Sequence, residues 1–215
     1  MSGLCCIVSA RPVRAEKLMI PDGAFVIAAD AGLRTLRTAG VAPDLIVGDF
    51  DSLGEKPTGE RVVCHPPEKD DTDTLLAVRE GLARGYDRFL IYGGLGGRLD
   101  HTLANLQTLG FLCAHGARGY LVGEGIAATA FQNGGLAFRD TLRGTVSVFA
   151  LGADAKGVCE RGLKYALDDY TMGADFPVGV SNEFTGAPSE ITVRDGTLLV
   201  VWSADKIDFD TITEL

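Results

Sequence analysis

Basic residues are scarce in this chain. Twenty Lys and Arg stand against 29 Asp and Glu, a formal net charge of −9. That balance argues against a nucleic-acid scaffold, because phosphate-backbone binding needs basic patches. It is permissive toward cationic ligands and divalent metals. Cysteine is sparse and poorly spaced: Cys5, Cys6, Cys64, Cys113 and Cys159 are odd in number, two are adjacent, and no CxxC pair exists. Neither a disulfide framework nor a zinc site is expected. Most of these cysteines sit in apolar runs, where a free thiol behaves as a small hydrophobe. No apolar run approaches the ~18 residues of a membrane helix. The run Leu4–Ala10 is too short for a signal peptide and follows no basic region. A cytoplasmic protein without membrane or nucleic-acid partners is expected. Glycine is the residue in excess, 28 of 215, against a typical ~7%. Many tight turns and close backbone approaches should follow. At 23% charged and 46% hydrophobic, the composition is that of an ordinary globular protein.

Up to about residue 125, short apolar runs alternate with helix-like stretches. Strand candidates are Cys5–Ser9, Ala24–Ala29, Leu45–Gly48, Arg61–His65, Arg88–Gly93 and Tyr120–Gly123. Helix candidates are Leu33–Ala39, Thr74–Arg84 and Thr102–His115. The second helix would present Leu75, Val78 and Leu82 on one face, the third Leu103, Leu106, Leu109 and Cys113. Gly85 and Gly116 read as helix stops. Buried strands alternating with helices predict an α/β domain with a mainly parallel sheet over residues 1–125. Beyond it the pattern turns to alternating runs such as Thr145–Leu151 and Glu190–Thr192, with glycine punctuation and no good helix. Asp195–Gly196, between Ile191–Arg194 and Thr197–Ser203, is a hairpin signal. Residues 126–215 therefore read as an antiparallel all-β sandwich, with Trp202 in its core.

The aspartates fall where strands end. Asp30 closes the second strand candidate; Asp49 and Asp51, in GDFDS, follow the third. Asp70, Asp71 and Asp73, in KDDTDT, follow the fourth and open a helix. Asp100, in GGRLDH, follows the fifth and opens another. In a parallel sheet all of them lie along the carboxyl edge, where ligands bind. A lone aspartate before a helix is most simply an N-cap, the plain reading for Asp71 and for Asp100. Three carboxylates within four positions exceed what a cap needs, and like charges converging on one edge repel unless a cation sits among them. Oxygen donors without His or Cys pairs favour Mg2+, which holds substrate phosphates.

The segment Tyr92–His101 (YGGLGGRLDH) joins a strand to a helix. No Gly-Lys-Ser/Thr closes it, so it is not a Walker A loop. Leu99 occupies the last glycine position of GxGxxG. It still offers phosphate a close backbone, outward N–H groups at a helix start and Arg98 as a fork. Asn105 lies one turn beyond His101 and could face the same cleft.

GDFDS, KDDTDT and GGLGGRLDHTLANL, in that order, resemble the thiamine pyrophosphokinase (thiamine diphosphokinase) family. Gly162-Leu163-Lys164-Tyr165 and Ser181-Asn182-Glu183 are similar to that family's later GLKY and SNE segments. Two positions depart: Ala31 stands in a common ADGG segment, and Ala166 where proline often follows GLKY. The resemblance implies an α/β nucleotide-binding domain followed by a β-sandwich, acting as a homodimer with composite sites. It implies transfer of the pyrophosphoryl group of ATP to thiamine, giving thiamine diphosphate and AMP with Mg2+. Asp49, Asp51, Asp70, Asp73 and Asp100 are the expected metal ligands, and Asp70, Asp73, Arg98 and Asp100 the expected catalytic set. Asp30, Asp49, Gly96, Gly97, Arg98, His101 and Asn105 are expected at ATP, Ser181 and Asn182 at thiamine. A metal-dependent phosphatase, a sugar-nucleotide transferase and a silent nucleotide sensor are the competing readings.

Overall fold

The computed structural model describes residues 3–50, 57–59, 61–64 and 71–215. They form two compact units, one running to Thr108 and including Gly119–Gly123, the other built from Leu109–Arg118 and Glu124–Leu215. The first unit is organised by β1 (Leu4–Val8), β2 (Phe25–Ala29), β3 (Leu45–Gly48), β4 (Val62–Cys64), β5 (Arg88–Tyr92) and β6 (Arg118–Val122). The helices are α1 (Gly32–Thr38), α2 (Asp73–Ala83) and α3 (Leu99–Ala114). Strand order is β6-β5-β1-β2-β3-β4. The β1–β2, β1–β5, β2–β3 and β3–β4 pairs are all parallel. In β1, β2 and β5 every residue after the first is buried, the mark of strands covered on both faces. Cys5 and Cys6 belong to this core, and burial pushes both thiols above the ordinary cysteine range.

The helix stops fall where glycine permits them. Gly85 (φ +84°) donates to the Leu82 carbonyl, and Tyr86 N–H reaches back to Gly81. Gly116 and Ala117 repeat this arrangement on Cys113 and Leu112. Both are Schellman ends, which need a left-handed residue after the helix.

The buried stripes are rotated from those read in the sequence. In α2, Thr74, Leu76, Ala77, Val78 and Gly81 are buried, while Leu75 and Leu82 are only partly so. A Cβ on Gly81 would stand 2.5 Å from the Phe89 ring, so small residues form the seam with the sheet. In α3 the buried stripe is Asn105, Thr108, Leu109 and Leu112, and Leu103 is 54% exposed. Side-chain size marked the apolar residues, but closeness of approach chose the face.

The second unit contains β7 (Ala127–Gln132), β8 (Gly135–Phe138), β9 (Thr145–Ala150), β10 (Ala155–Arg161) and β11 (Leu167–Met172), then β12 (Gly179–Glu183), β13 (Ser189–Thr192), β14 (Thr197–Trp202) and β15 (Ile212–Glu214). One layer has the order β12-β9-β14-β7, the other β11-β10-β13-β8-β15, and their pairings are antiparallel. Trp202 from one layer meets Phe138 from the other edge-to-face at 5.9 Å, so its expected core position holds. An α/β unit and an antiparallel sandwich are thus the architecture.

The Asp195–Gly196 hairpin is not formed. β13 pairs with β10 and β8, whereas β14 pairs with β7 and β9. The turn instead carries the chain from one layer to the other. Its hydrogen bonds leave the local segment: Asp195 exchanges backbone bonds with Lys156, and Gly196 N–H donates to the Asn133 side chain. Turn chemistry specifies the reversal, not the strands that flank it.

Candidate active site

Parallel pairing puts every strand end of the first unit's β5-β1-β2-β3 core at one edge, the position where open α/β sheets bind ligands. There β1 hands over to Ser9-Ala10-Arg11, β2 to Asp30, β3 to Asp49 and β5 to the glycine loop. A cleft of about 260 Å³ opens at this edge. Of the residues expected at ATP, Gly96, Gly97, Arg98, His101 and Asn105 line it.

The loop is held from inside by α3. Gly96 and Gly97 have φ of +79° and +72°. Gly96 N–H donates to Thr102 Oγ1 at 3.1 Å, and buried Asn105 donates its amide to the Gly94 carbonyl at 2.8 Å. Asn105 therefore faces the cleft and also fixes the shape of its wall.

Arg98 and Asp100 grip each other in a fork, Nε to Oδ1 at 3.1 Å and Nη2 to Oδ2 at 2.6 Å. Arg98 and the His101 N–H hold the Asp100 carboxyl below the usual carboxylate range. Asp100 is thus not an N-cap. Both side chains are well exposed, at 73% and 63%, and solvent screening leaves a pair so placed little net worth. An arriving anion or cation can compete for either partner.

Asp71 is not a cap either. Thr72 caps α2, its hydroxyl accepting from Leu75 N–H at 3.2 Å, and Asp71 pairs with Arg79 at 2.8 Å. A neutral oxygen does the capping, and Asp73 follows it as the first residue of α2. Asp30 is buried with φ +47°, a left-handed conformation that aspartate tolerates better than most residues. Its N–H donates to the Val47 carbonyl at 2.8 Å, which ties the ends of β2 and β3 together. Neither Asp30 nor Asp49 is among the residues lining the cleft described above. Asp51, Asp70 and His65 lie outside the described residues. Among the described residues no group of three His, Cys, Asp or Glu is placed to hold a metal ion.

Four cleft residues escaped the sequence reading: Ser9, Ala10, Arg11 and Thr74. Ser9 Oγ and Thr74 Oγ1 lie 2.9 Å apart, joining the end of β1 to the start of α2. The signal was available, since all of them stand at the same sheet edge as the aspartates, but none is acidic or glycine.

The second unit treats its two expected thiamine residues differently. Ser181 is exposed, with φ +62° and its N–H donating to Ser147 Oγ at 3.0 Å. Asn182 is 4% exposed and its carboxamide is fully engaged. Its Oδ1 accepts from Tyr165 and Glu183 N–H, each at 2.9 Å, while Nδ2 donates to the Tyr165 carbonyl and to Glu160 Oε2 at 2.7 Å. Direct contact of that amide with a ligand, as expected, conflicts with this geometry. Asn182 joins the GLKY and SNE segments and leaves Tyr165, 61% exposed, on the outside.

Glu160 is 1% exposed, and its Oε1 has no hydrogen-bond partner. Burial raises its carboxyl above the ordinary glutamate range, while the Asn182 hydrogen bond pulls the other way. A folded value above the unfolded one contributes stability that is complete below the unfolded range and lost as pH rises through the folded value. Glu160→Gln removes that loss. Its melting temperature minus that of the parent should increase between about pH 4 and pH 8; a difference independent of pH would contradict a buried titrating acid.

Sequence and structure comparisons fall on the same two units. A family model described as "Thiamin pyrophosphokinase, catalytic domain" matches residues 17–118, and one described as "Thiamin pyrophosphokinase, vitamin B1 binding domain" matches residues 138–198. A thiamine pyrophosphokinase of Bacillus subtilis is 27% identical over 186 residues, 83% of this chain and 87% of that protein. The crystal structure of thiamine pyrophosphokinase from Bacillus subtilis superimposes with a TM-score of 0.82 at 25% identity, covering 94% of this chain and all of the other. Thiamin pyrophosphokinase from Candida albicans, at 14% identity and a TM-score of 0.72, covers 94% of this chain and 93% of its own and shares the fold. The two family models between them take in more than two thirds of the chain, and the catalytic one spans Asp30, Asp49, Asp73 and the glycine loop. With both domains matched in order, the chain belongs to the thiamin pyrophosphokinase family.

Proposed function

We propose that this protein transfers the pyrophosphoryl group of ATP to the hydroxyl of thiamine, releasing AMP and thiamine diphosphate. One coincidence carries the reading. The family's catalytic domain falls on the glycine loop and Thr74, which line the cleft, and its vitamin B1 binding domain falls on the GLKY and SNE segments.

The thiamine hydroxyl attacks the β-phosphorus and AMP leaves. Such a transfer asks the protein for alignment and charge stabilisation more than for covalent chemistry. Gly96 and Gly97 let the backbone approach phosphate, and Arg98 forks onto oxygens of the transferred group once it exchanges Asp100 for the ligand. Asp30 stands beside the nucleotide. An oxygen-only donor set suits a hard cation, so Asp49, Asp51, Asp70, Asp73 and Asp100 are assigned to Mg2+. When bound, Mg2+ supplies neutralisation of the polyphosphate charge. Ser181 contacts thiamine from the exposed side of β12, and Asn182 supports that surface from beneath. We further assign a homodimer as the working state, tested by size-exclusion chromatography with light scattering.

The deciding experiment incubates the protein with thiamine, ATP and Mg2+ and identifies the products by mass spectrometry. AMP with thiamine diphosphate supports the proposal, and a chelator should abolish both. Inorganic phosphate released without thiamine would favour a phosphatase; tight binding without AMP would favour a sensor.

A further inference from the structure

Arg11 lies three residues beyond the end of β1 and lines the cleft. Its Nη1 donates to the Leu95 carbonyl, and its side chain lies across the Gly96–Gly97 turn. A Cβ built on Gly96 would stand 2.9 Å from the Arg11 Cζ, so absence of a side chain there is what lets the guanidinium in. A guanidinium has five N–H donors, and the Leu95 bond uses one. Among the described residues no carboxylate pairs with Arg11. A half-buried cation without a counter-charge is costly unless an anion completes it. Arg98, by contrast, is well exposed and already tied to Asp100. Of the two cleft arginines, Arg11 is the one held in place with donors to spare, and preorganisation of this kind lowers the ordering cost of binding.

We propose that Arg11 is an anion-binding residue of this cleft, whose guanidinium takes phosphate oxygens of a polyphosphate ligand alongside the glycine turn. The assignment rests on reading the cleft as the polyphosphate site. The structural alternative is that Arg11 only braces the Leu95 carbonyl. Arg11→Gln removes the charge and keeps an N–H donor on a shorter side chain, and Arg11→Met removes both charge and donor.

The test is calorimetric titration of inorganic tripolyphosphate with Mg2+ into parent, Arg11→Gln and Arg11→Met proteins whose folding is checked by thermal melting. Loss of a charge-assisted hydrogen bond should weaken binding about tenfold or more in both variants. In turnover assays KM for ATP should rise while KM for thiamine is unchanged. Parent-like affinity in Arg11→Gln overturns the assignment and leaves the cleft reading standing. A parent protein that binds ATP but not tripolyphosphate also overturns it, and one that binds neither removes the cleft reading as well. Should Arg11→Met fail to fold, Arg11→Gln alone decides.

Discussion

Asp73→Asn is expected to lower kcat at least about 100-fold while leaving the fold intact, the scale of losing one charged stabiliser of a transferring group. The argument combines local structure with chemistry. Asp73 opens α2 immediately after the Thr72 cap, so the cap bond is made by a hydroxyl and not by its carboxylate. Neutralising it removes a favourable charge at a helix N-terminus, a contribution of ~0.3–1 kcal/mol. Its neighbour Thr74 lines the cleft and touches Ser9, so the first turn of α2 meets the site. Asparagine keeps the shape and one oxygen but removes the charge that a divalent cation needs. Steady-state kinetics at increasing Mg2+ check this, with thermal melting as the control. Near-parental turnover at ordinary Mg2+ would remove Asp73 from the metal set.

Gly32→Ala should produce the largest loss of stability, about 3 kcal/mol or more, at the top of the range for overpacking. Gly32 is the first residue of α1, where the helix start crosses the end of β1. A Cβ there would overlap the Val8 carbonyl oxygen, 2.6 Å from its carbon and 3.0 Å from the Ser9 oxygen. These are backbone atoms of a central strand, so no side chain can rotate out of the way. For a chain of this size the cost corresponds to a fall in melting temperature of roughly 6–12 °C. Ser9 and Arg11 directly follow the displaced carbonyl, so affinity for tripolyphosphate should fall along with stability. A melting temperature within a degree of the parent would show that α1 can shift freely, against the packing described. The same geometry accounts for Ala31, which stands where the family resemblance implies glycine. Ala31 has φ −62° and ψ −9°, ordinary helical values with no call for glycine. Only the second position of that pair is sterically closed.

Much of the architecture was legible along the chain. Continuous apolar runs separated by helical periods marked β1 to β6 and α1 to α3 to within a few residues, and glycine marked both Schellman ends. The aspartates at strand ends, the glycines before α3 and Arg98 ahead of Asp100 also stood out, because their residues are unusual in type and close in sequence. Other features were not. The faces that α2 and α3 bury depend on which side chains are small enough to let the sheet approach, as Gly81 against Phe89 does. Asn182 reads as an exposed binding amide until β10 and the Tyr165 loop close around it.

What this sequence determines by itself is therefore local: where strands and helices begin and end, where the chain reverses, and where glycine closes a helix. Propensity, periodicity and turn chemistry act over a few residues, and these features need nothing more. Tertiary structure decided the partners. It sent β13 and β14 to different layers across an ordinary Asp-Gly turn, set Asn182 inward on Glu160, and brought Arg11 to a glycine loop 84 residues away in sequence. Such choices depend on packing between segments distant in the chain, where the space left by one element selects the side chain of another, and no short window of sequence contains both sides of that contact.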